Sequence, residues 1–534
     1  MHHRATIILT FLWAFSTVPL FGQAWEWVDQ IGGTNSENMY AINSTLQGTT
    51  YVLGTTEASF ISPDGPLPTF GGFDVLLTQL DEFGTVNWIK TAGSTDNDLP
   101  GGLVGLSDGS AVIAGRYWDE ATFGDEELII SQGSSSGIFV VKYLSDGTVD
   151  WAKGIDGAGI KVVNQIERDQ DDNFYICGYF GDTLFTELGN LTSPANTAAY
   201  ILKYDPAGNL LWANSYGSTF DTRATSITLD GNSNVYVAGD SNGSFEFDGE
   251  IITTPTVDND VFLMKLDAVG NELWVNRYGG GLEDNATGVA AQPNGQVFLT
   301  GKFIGLFDIG GTTLQTQGFN DNIYLCSISD LGVTLWAKSL GSTSFETTTG
   351  ISAFGSEFAI SGFYQGTTDI DGFVLSSGPT ESNAFMAIFD ESGAVNIVED
   401  FQGPGFDLAV AIDYDPAGGI LTAGQFESGI TTGGFNLTSS GGFDIFMGRW
   451  LFVSSVSGPL ALRQIGAYPN PAQSEVFLEL DHTTRFPVEV QVVDALGRSV
   501  QFLQLNGPSF SVDTWASGVY FLRGEDWIVR LVKP

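Results

Sequence analysis

Seven positions at a nearly constant interval hold Glu37, Asp98, Lys161, Thr222, Asp284, Glu346 and Asp407, with Asp221 beside Thr222. Six carboxylates repeated in this way could offer oxygen ligands to a hard cation such as Ca²⁺. They could equally accept backbone N–H bonds and order their own loops, as Asp does in Asx-turns. Recurrence favours the structural role, because a binding site usually breaks a repeat's symmetry, and Lys161 is the one visible break. Paired acids could also serve a glycosidase, but among 63 Asp and Glu the sequence singles out no pair. Other chemistries lack their residues. The histidines are His2, His3 and His482, so the long middle of the chain can build neither a Ser-His-Asp site nor a histidine-ligated metal centre. The G-S-S-S-G at Gly133–Gly137 reads as a flexible loop rather than a nucleophile elbow, since no strand-to-helix turn surrounds it. No phosphate-cradling loop or dinucleotide fingerprint is present. Catalytic residues: none.

These positions ride on a repeat. Each lies ten residues after a slot filled by Trp27, Trp88, Trp151, Trp212, Trp274 and Trp336, and in the seventh copy by Ile397. A glycine closing an apolar run travels in register: Gly54, Gly115, Gly178, Gly239, Gly301, Gly362 and Gly424. Two markers in step over seven copies dictate a repeat architecture. Within one copy, RATSITLD, NSNVYVAG, DVFLMKLD and ELWVNRYG are strand signals separated by Gly/Asn/Asp turns, and no window carries a helical period. Each copy therefore supplies four antiparallel strands, A to D, forming one blade, with a Gly/Asp/Thr-rich loop between B and C. Stacking seven blades radially buries faces that one sheet cannot bury alone. The Trp on strand D is expected to wedge between blades, and the glycine ending strand B to let two backbones approach closely. The copy with Ile397 should be the looser one. The segment WEWVDQI (25–31) aligns with strand D, whereas the last copy has A to C only; together they complete one blade and close the ring. The loop from D to the next A should bring Glu37, Asp98, Asp221, Asp284, Glu346 and Asp407 to the mouth of the central channel.

The fold class is thus all-β: a seven-bladed propeller over 25–453, a linker over 454–466 and a small β-sandwich over 467–534. Residues 1–24 read as a secretory signal peptide, with a basic start, an apolar stretch and Gly22-Gln23-Ala24 before the cut; no later stretch could span a bilayer as a helix. Cys177 and Cys326 read as buried small hydrophobes, without a disulfide between them. The formal net charge is −43, concentrated in 25–453. It excludes a nucleic-acid partner, which demands a basic footprint, and suits an exported protein bathed in screening salt.

Two resemblances sharpen this. The pattern from Asp260 to Trp274, with Gly279-Gly280 and Asn234 to Gly239, resembles the SBBP bacterial β-propeller repeat. The end of the chain resembles the C-terminal sorting domain of the type IX (Por) secretion system, through Tyr468-Pro469-Asn470-Pro471, Gly497, Gly518 and Tyr520, and a basic close from Arg530 to Lys533. The second resemblance implies passage through the outer membrane, engagement of the secretion machinery, and a secreted or cell-surface location. The expected function is a non-catalytic binding, adhesion or scaffold module whose partner is an extracellular glycan or protein. An extracellular polysaccharide-active hydrolase or lyase is the alternative. No cofactor is expected, with Ca²⁺ at the carboxylate ring the one candidate.

Overall fold

The indole repeat and the positive-φ turns explain each other. The computed structural model describes residues 22–534 apart from short stretches, the longest being 454–462 and 479–487, and no helix occurs among the described residues. Blade 4 shows the unit: strand A Thr222–Leu229, B Val235–Ser241, C Asp260–Leu266 and D Glu272–Gly280, hydrogen-bonded in that order. Strands B and C are buried throughout, as strands sandwiched between blades must be, and this accounts for their continuous apolar runs. Each Trp of strand D lies, half-buried or buried, beneath the C–D turn of the following blade. Gly84, Gly147, Gly208, Gly270, Gly332 and Gly393 cross over Trp27, Trp88, Trp151, Trp212, Trp274 and Trp336, and a Cβ at any of them would sit within 3.3 Å of the ring. The same glycines have φ between 78° and 87°, which L side chains rarely adopt. Four of the indoles also donate to that turn, Trp274 Nε1 to Asp330 O at 3.0 Å among them.

The exception proves informative. Ile397 faces blade 7, whose strands C and D are joined by no turn, because C is Phe435–Val453 and D is Gly22–Ile31. No glycine turn covers that slot, so an indole there would have nothing to wedge under. Ile397 is itself buried. Replacing Trp274 by Ala should therefore cost about 2–3 kcal/mol, read as a shift in denaturant midpoint, whereas Ile397→Trp should bring no gain.

The ring closes as the alignment requires: strand Gly22–Ile31 pairs with Phe435–Val453. Trp25 packs edge-on to Trp450 with centroids 5.1 Å apart, Glu26 forms an ion pair with Arg449, and Gln30 Nε2 donates to Thr438 O at 3.0 Å. Trp25, Trp27 and Ile31 are all buried.

The B–C loops differ from expectation. They fold into short hairpins, such as Glu120–Phe123 with Glu126–Ile129 and Leu306–Ile309 with Thr312–Gln315. These hairpins tie to the preceding blade's D–A turn: Gly93 pairs with Thr122, Gly279 with Asp308, and Gln402 with Thr431. Their inward residues Phe123, Leu184, Phe307 and Ile370 are fully buried. Much of the acid excess goes to turn chemistry. Asp81, Asp205, Asp267 and Asp390 each accept two backbone N–H bonds across a C–D turn.

The described residues divide into two compact units, Trp25–Leu451 and a second unit that follows from Phe452. In the second unit, strands Val488–Asp494, Ser499–Leu505, Gly518–Arg523 and Trp527–Lys533 form a sheet with the two-residue strand Arg463–Gln464. Ala467–Tyr468, Glu475–Leu478 and Ser509–Ser511 form a second sheet. Val476, Leu478, Val490, Val492, Tyr520, Leu522 and Leu531 share one core.

Candidate functional site

The carboxylates first suspected of ringing the channel mouth lie elsewhere. Glu37, Asp98, Asp284, Glu346 and Asp407 are at most 1% exposed, and neither they nor Asp221 line the central cavity. They sit at or just before the start of strand A, and most accept backbone N–H bonds from the turn that delivers them. Gly33 N donates to Glu37 Oε2 at 2.6 Å, Gly280 N to Asp284 Oδ2 at 2.7 Å, and Ser342 N to Glu346 Oε1 at 2.8 Å. Asp221 accepts from Thr197 and pairs with Arg223. Among the described residues no three His, Cys, Asp or Glu side chains gather as metal ligands.

What the sequence reading missed is the partner across each junction. At the starts of blades 2, 4, 5 and 7 the N–H of the strand-start position donates to the carbonyl of the residue preceding a fixed position near the start of strand C in the blade before. Asp98 N donates to Phe73 O at 2.7 Å, Asp284 N to Asn259 O at 2.9 Å, and Asp407 N to Ser382 O at 2.7 Å. That position is Asp444, Asp74, Asp260, Asn322 or Asn383 where the next strand A begins with an acid, but Gly137 before Lys161 and Ala198 before Thr222. Lys161 is no anomaly: with no acid opposite, its buried ammonium donates to Gly157 O and Gly159 O of the same turn, at 2.5 and 3.0 Å. The glycine at the end of strand D admits these carboxyls. A Cβ on Gly93 would lie 2.7 Å from Asp74 Oδ1 and 2.8 Å from Asp98 Oδ2, and one on Gly279 2.0 Å from Asp260 Oδ1.

Burial holds these acids above the ordinary carboxyl range: Asp98 at about 7, Asp284, Glu346 and Asp407 at about 8, Asp74 and Asp260 at about 6. Each titrates higher folded than unfolded, so folding takes up protons between about pH 4 and pH 8 and stability falls as pH rises through that window. Lys161, lowered by burial to about 8, acts only above it, where rising pH favours the fold. The melting temperature should therefore drop by about 5 °C between pH 5 and pH 8 in about 0.5 M salt, added to screen general repulsion. Asp284→Asn should shallow that slope, and a melting temperature that rises over the same range would contradict this account.

The cavity that does exist runs along the axis, 530 Å³ in volume and lined by the seven strands A. Each strand A carries a bulge at the same place, as between Met39 and Ala41 or between Ala224 and Ser226, leaving Tyr40, Asn164, Thr225, Thr287 or Thr349 unpaired at the channel wall. Side-chain bonds stitch strand A to strand A around the axis. Asn43 Oδ1 accepts from Gly105 N (2.7 Å), Gln165 Oε1 from Ser226 Oγ (2.7 Å) and Ser226 Oγ from Val289 N (3.0 Å). Thr287 and Thr348 hydroxyls pair at 2.6 Å, Thr349 donates to Ala409 O, and Asn43 Nδ2 donates to Asp413 Oδ2 at 2.9 Å. Between blades 2 and 3 glycines replace such a bond, a Cβ on Gly101 falling 2.1 Å from Val163 O.

One layer of this wall breaks the symmetry. At the seventh residue of strand A stand Asn43, Val104, Glu167, Thr228, Ala290, Ser352 and Asp413. Two carboxyls, from blades 3 and 7, thus share one level of the channel. Burial, then the charge of Glu167, raises Asp413 to about 8, and burial raises Glu167 as well. Ser352 Oγ donates to Asp413 Oδ1 at 3.2 Å. Beside them Phe354 and Tyr414 stack at 5.6 Å and 18°, and among the described residues the buried Tyr414 hydroxyl has no hydrogen-bond partner. The signal was present in the sequence, since aligning the seven strands A leaves these as the only acids in that column.

Cys177 and Cys326 are buried free thiols in blades 3 and 5. Of the sorting motif, Tyr468 ends a two-residue strand, Gly518 and Tyr520 lie on one strand of the larger sheet, and Lys533 ends its neighbour. Pro469, Asn470, Pro471 and Gly497 lie outside the described residues, as do residues 1–21 of the expected signal peptide.

Residues 466–528 match the family described as Secretion system C-terminal sorting domain, and residues 216–246 match the Beta-propeller repeat. Fold and matches together define an exported β-propeller bearing a type IX sorting domain, which directs it to the cell surface or out of the cell. More particular likenesses are distant. An uncharacterized WD repeat-containing protein of Acanthamoeba polyphaga mimivirus is 20% identical over 439 residues, covering 66% of this chain and 31% of that protein. Regulatory protein FlaEY of Caulobacter vibrioides is 27% identical over 296 residues, covering 51% and 31%. The chain thus spans about a third of the length of these curated relatives. Among solved structures, Sqt1 from Chaetomium thermophilum aligns over 95% of this chain and 99% of its own at 11% identity and a TM-score of 0.38, a likeness too low to carry an argument.

Proposed function

We infer that this exported propeller is a non-catalytic binding module that holds an extracellular glycan or protein. The observation that carries the reading is where regularity stops. The recurring acids serve their own turns and junctions, while the channel wall departs from the repeat with two carboxyls, Glu167 and Asp413. A site that departs from the symmetry of its scaffold is where selection for a ligand would act. The sorting domain supports engagement of the type IX secretion machinery and delivery to the outside, where glycans and surface proteins are the available partners.

A second reading, an extracellular polysaccharide hydrolase or lyase, is favoured by one fact: Glu167 and Asp413 are two half-buried carboxyls in one cavity with raised pKa values, a pattern used by glycosidases. A glycan array run beside a reducing-end assay separates the two. Retention on defined glycans without release of reducing ends supports the binding module. Release above buffer that disappears in Glu167→Gln would make the protein an enzyme.

A further inference from the structure

We propose that the axial channel takes the end of a neutral saccharide, held in the layer of Asp413 and Glu167 against the Phe354–Tyr414 pair. The proposal rests on the reading of the protein as an extracellular binding module and names the site and the ligand class.

Volume comes first. The cavity of 530 Å³ falls within the range of small-ligand pockets, roughly 300–1,000 Å³. The chemistry of its wall then selects. Most hydroxyl and amide groups of the channel are spent on the stitching between blades, as Gln165 and Ser226 are. What remains for a guest is acceptor-rich. Asp413 takes the Asn43 amide and the Ser352 hydroxyl, and Glu167 has its own neighbour, Arg168 N, on Oε1. Carboxyl groups sharing one cavity favour a ligand that supplies several donors, and vicinal hydroxyls do so at the spacing of two carboxyl oxygens. The Tyr414 hydroxyl adds a buried group without a partner at the same wall. The Phe354 ring, half-exposed at the channel wall and backed by the buried Tyr414 ring, presents apolar surface of the kind that covers the C–H face of a sugar ring.

Charge narrows the class. An anionic sugar would meet Glu167, Asp413, Asp169 and Asp230 on the cavity lining against one cation, Arg168, already paired with Asp172, and the wider field of a chain at −43, so acidic saccharides are disfavoured. A bare metal ion lacks its ligand set, since among the described residues no three acidic, His or Cys side chains converge. The asymmetry of the layer fits a guest of low symmetry: its carboxyls stand on blades 3 and 7, and its two apolar members, Val104 and Ala290, on blades 2 and 5.

The test uses the full mature chain and saturation-transfer NMR against neutral, N-acetylated, acidic and amino saccharides, followed by calorimetric titration of the best. The expected result is binding of neutral or N-acetylated sugars, weakened at least tenfold by Asp413→Leu and by Asn164→Trp, which fills the channel without touching Asp413. Asp413→Asn, which keeps an acceptor and a donor in place, should hold affinity within about threefold of the native chain. Melting curves on each variant confirm that the fold is kept. Sugar binding that survives both Asp413→Leu and Asn164→Trp would overturn the channel site while leaving the binding-module reading intact. Binding only of a surface protein, with no saccharide of the panel retained, would overturn the ligand class alone. A preference for acidic sugars would overturn the charge argument.

Discussion

A chain that begins at residue 32 is expected to lose cooperative unfolding and to aggregate. Strand Gly22–Ile31 is the fourth strand of blade 7, and without it the long strand Phe435–Val453 becomes an open edge, a template for pairing with other chains. Trp25, Trp27 and Ile31 would vacate buried positions, and Gly84 would lose the ring beneath its turn. Burying one such indole is worth several kcal/mol, against a net stability of about 5–15 kcal/mol for a folded protein. The truncation should therefore cost about 4 kcal/mol or more. A synthetic peptide of residues 22–31 added in excess should raise the melting temperature of the truncated chain, because it can occupy the vacant edge. A truncated chain that melts like the intact one would show that blade 7 does not depend on the first strand.

The second large effect belongs to the glycine that ends the apolar core of strand B. At Gly239 a Cβ would lie 2.0 Å from Arg223 O and 2.6 Å from the Phe262 ring. The cause is the bulge in strand A between Ala224 and Ser226, which pushes the carbonyl of residue 223 over strand B, while the aromatic of strand C closes from the other side. The same clash recurs at Gly178, Gly301, Gly362 and Gly424, with backbone oxygens at 2.0 to 2.2 Å. Neither wall can yield without breaking a ladder, so Gly239→Ala should cost about 3 kcal/mol, at the upper end for overpacking. Gly281→Ala, where nothing lies within 4 Å and no positive φ is required, should change stability by less than about 0.5 kcal/mol. Chemical denaturation of the two variants side by side checks this.

The repeat was legible because each marker answers one contact made in nearly every blade. Trp meets a glycine turn, and the strand-B glycine meets a bulge carbonyl. Even the missing Trp at Ile397 follows from the closure, although its reason appears only once blade 7 is seen to lack a C–D turn. Most B–C hairpins escape a reading by period because their strands run two to four residues, as in Phe245–Phe247 with Glu250–Ile252, too short for a period to register. The acids that open strand A were assigned to the channel because their burial depends on strand C of the preceding blade, about 24 residues earlier, as Asp74 is to Asp98. Single-copy patterning cannot show that pairing. Glu167 and Asp413 escaped notice among 63 acids for a related reason: they stand out only when strands are compared by register.

Hydrogen exchange on the intact mature chain, followed by mass spectrometry, tests ring closure most directly. Amides 26–31 should be protected as strongly as amides 444–450 of the strand they pair with, and the two should lose protection together on warming. Exchange of 26–31 at the rate of an unpaired tail, with 444–450 still protected, would contradict a propeller closed by its first strand.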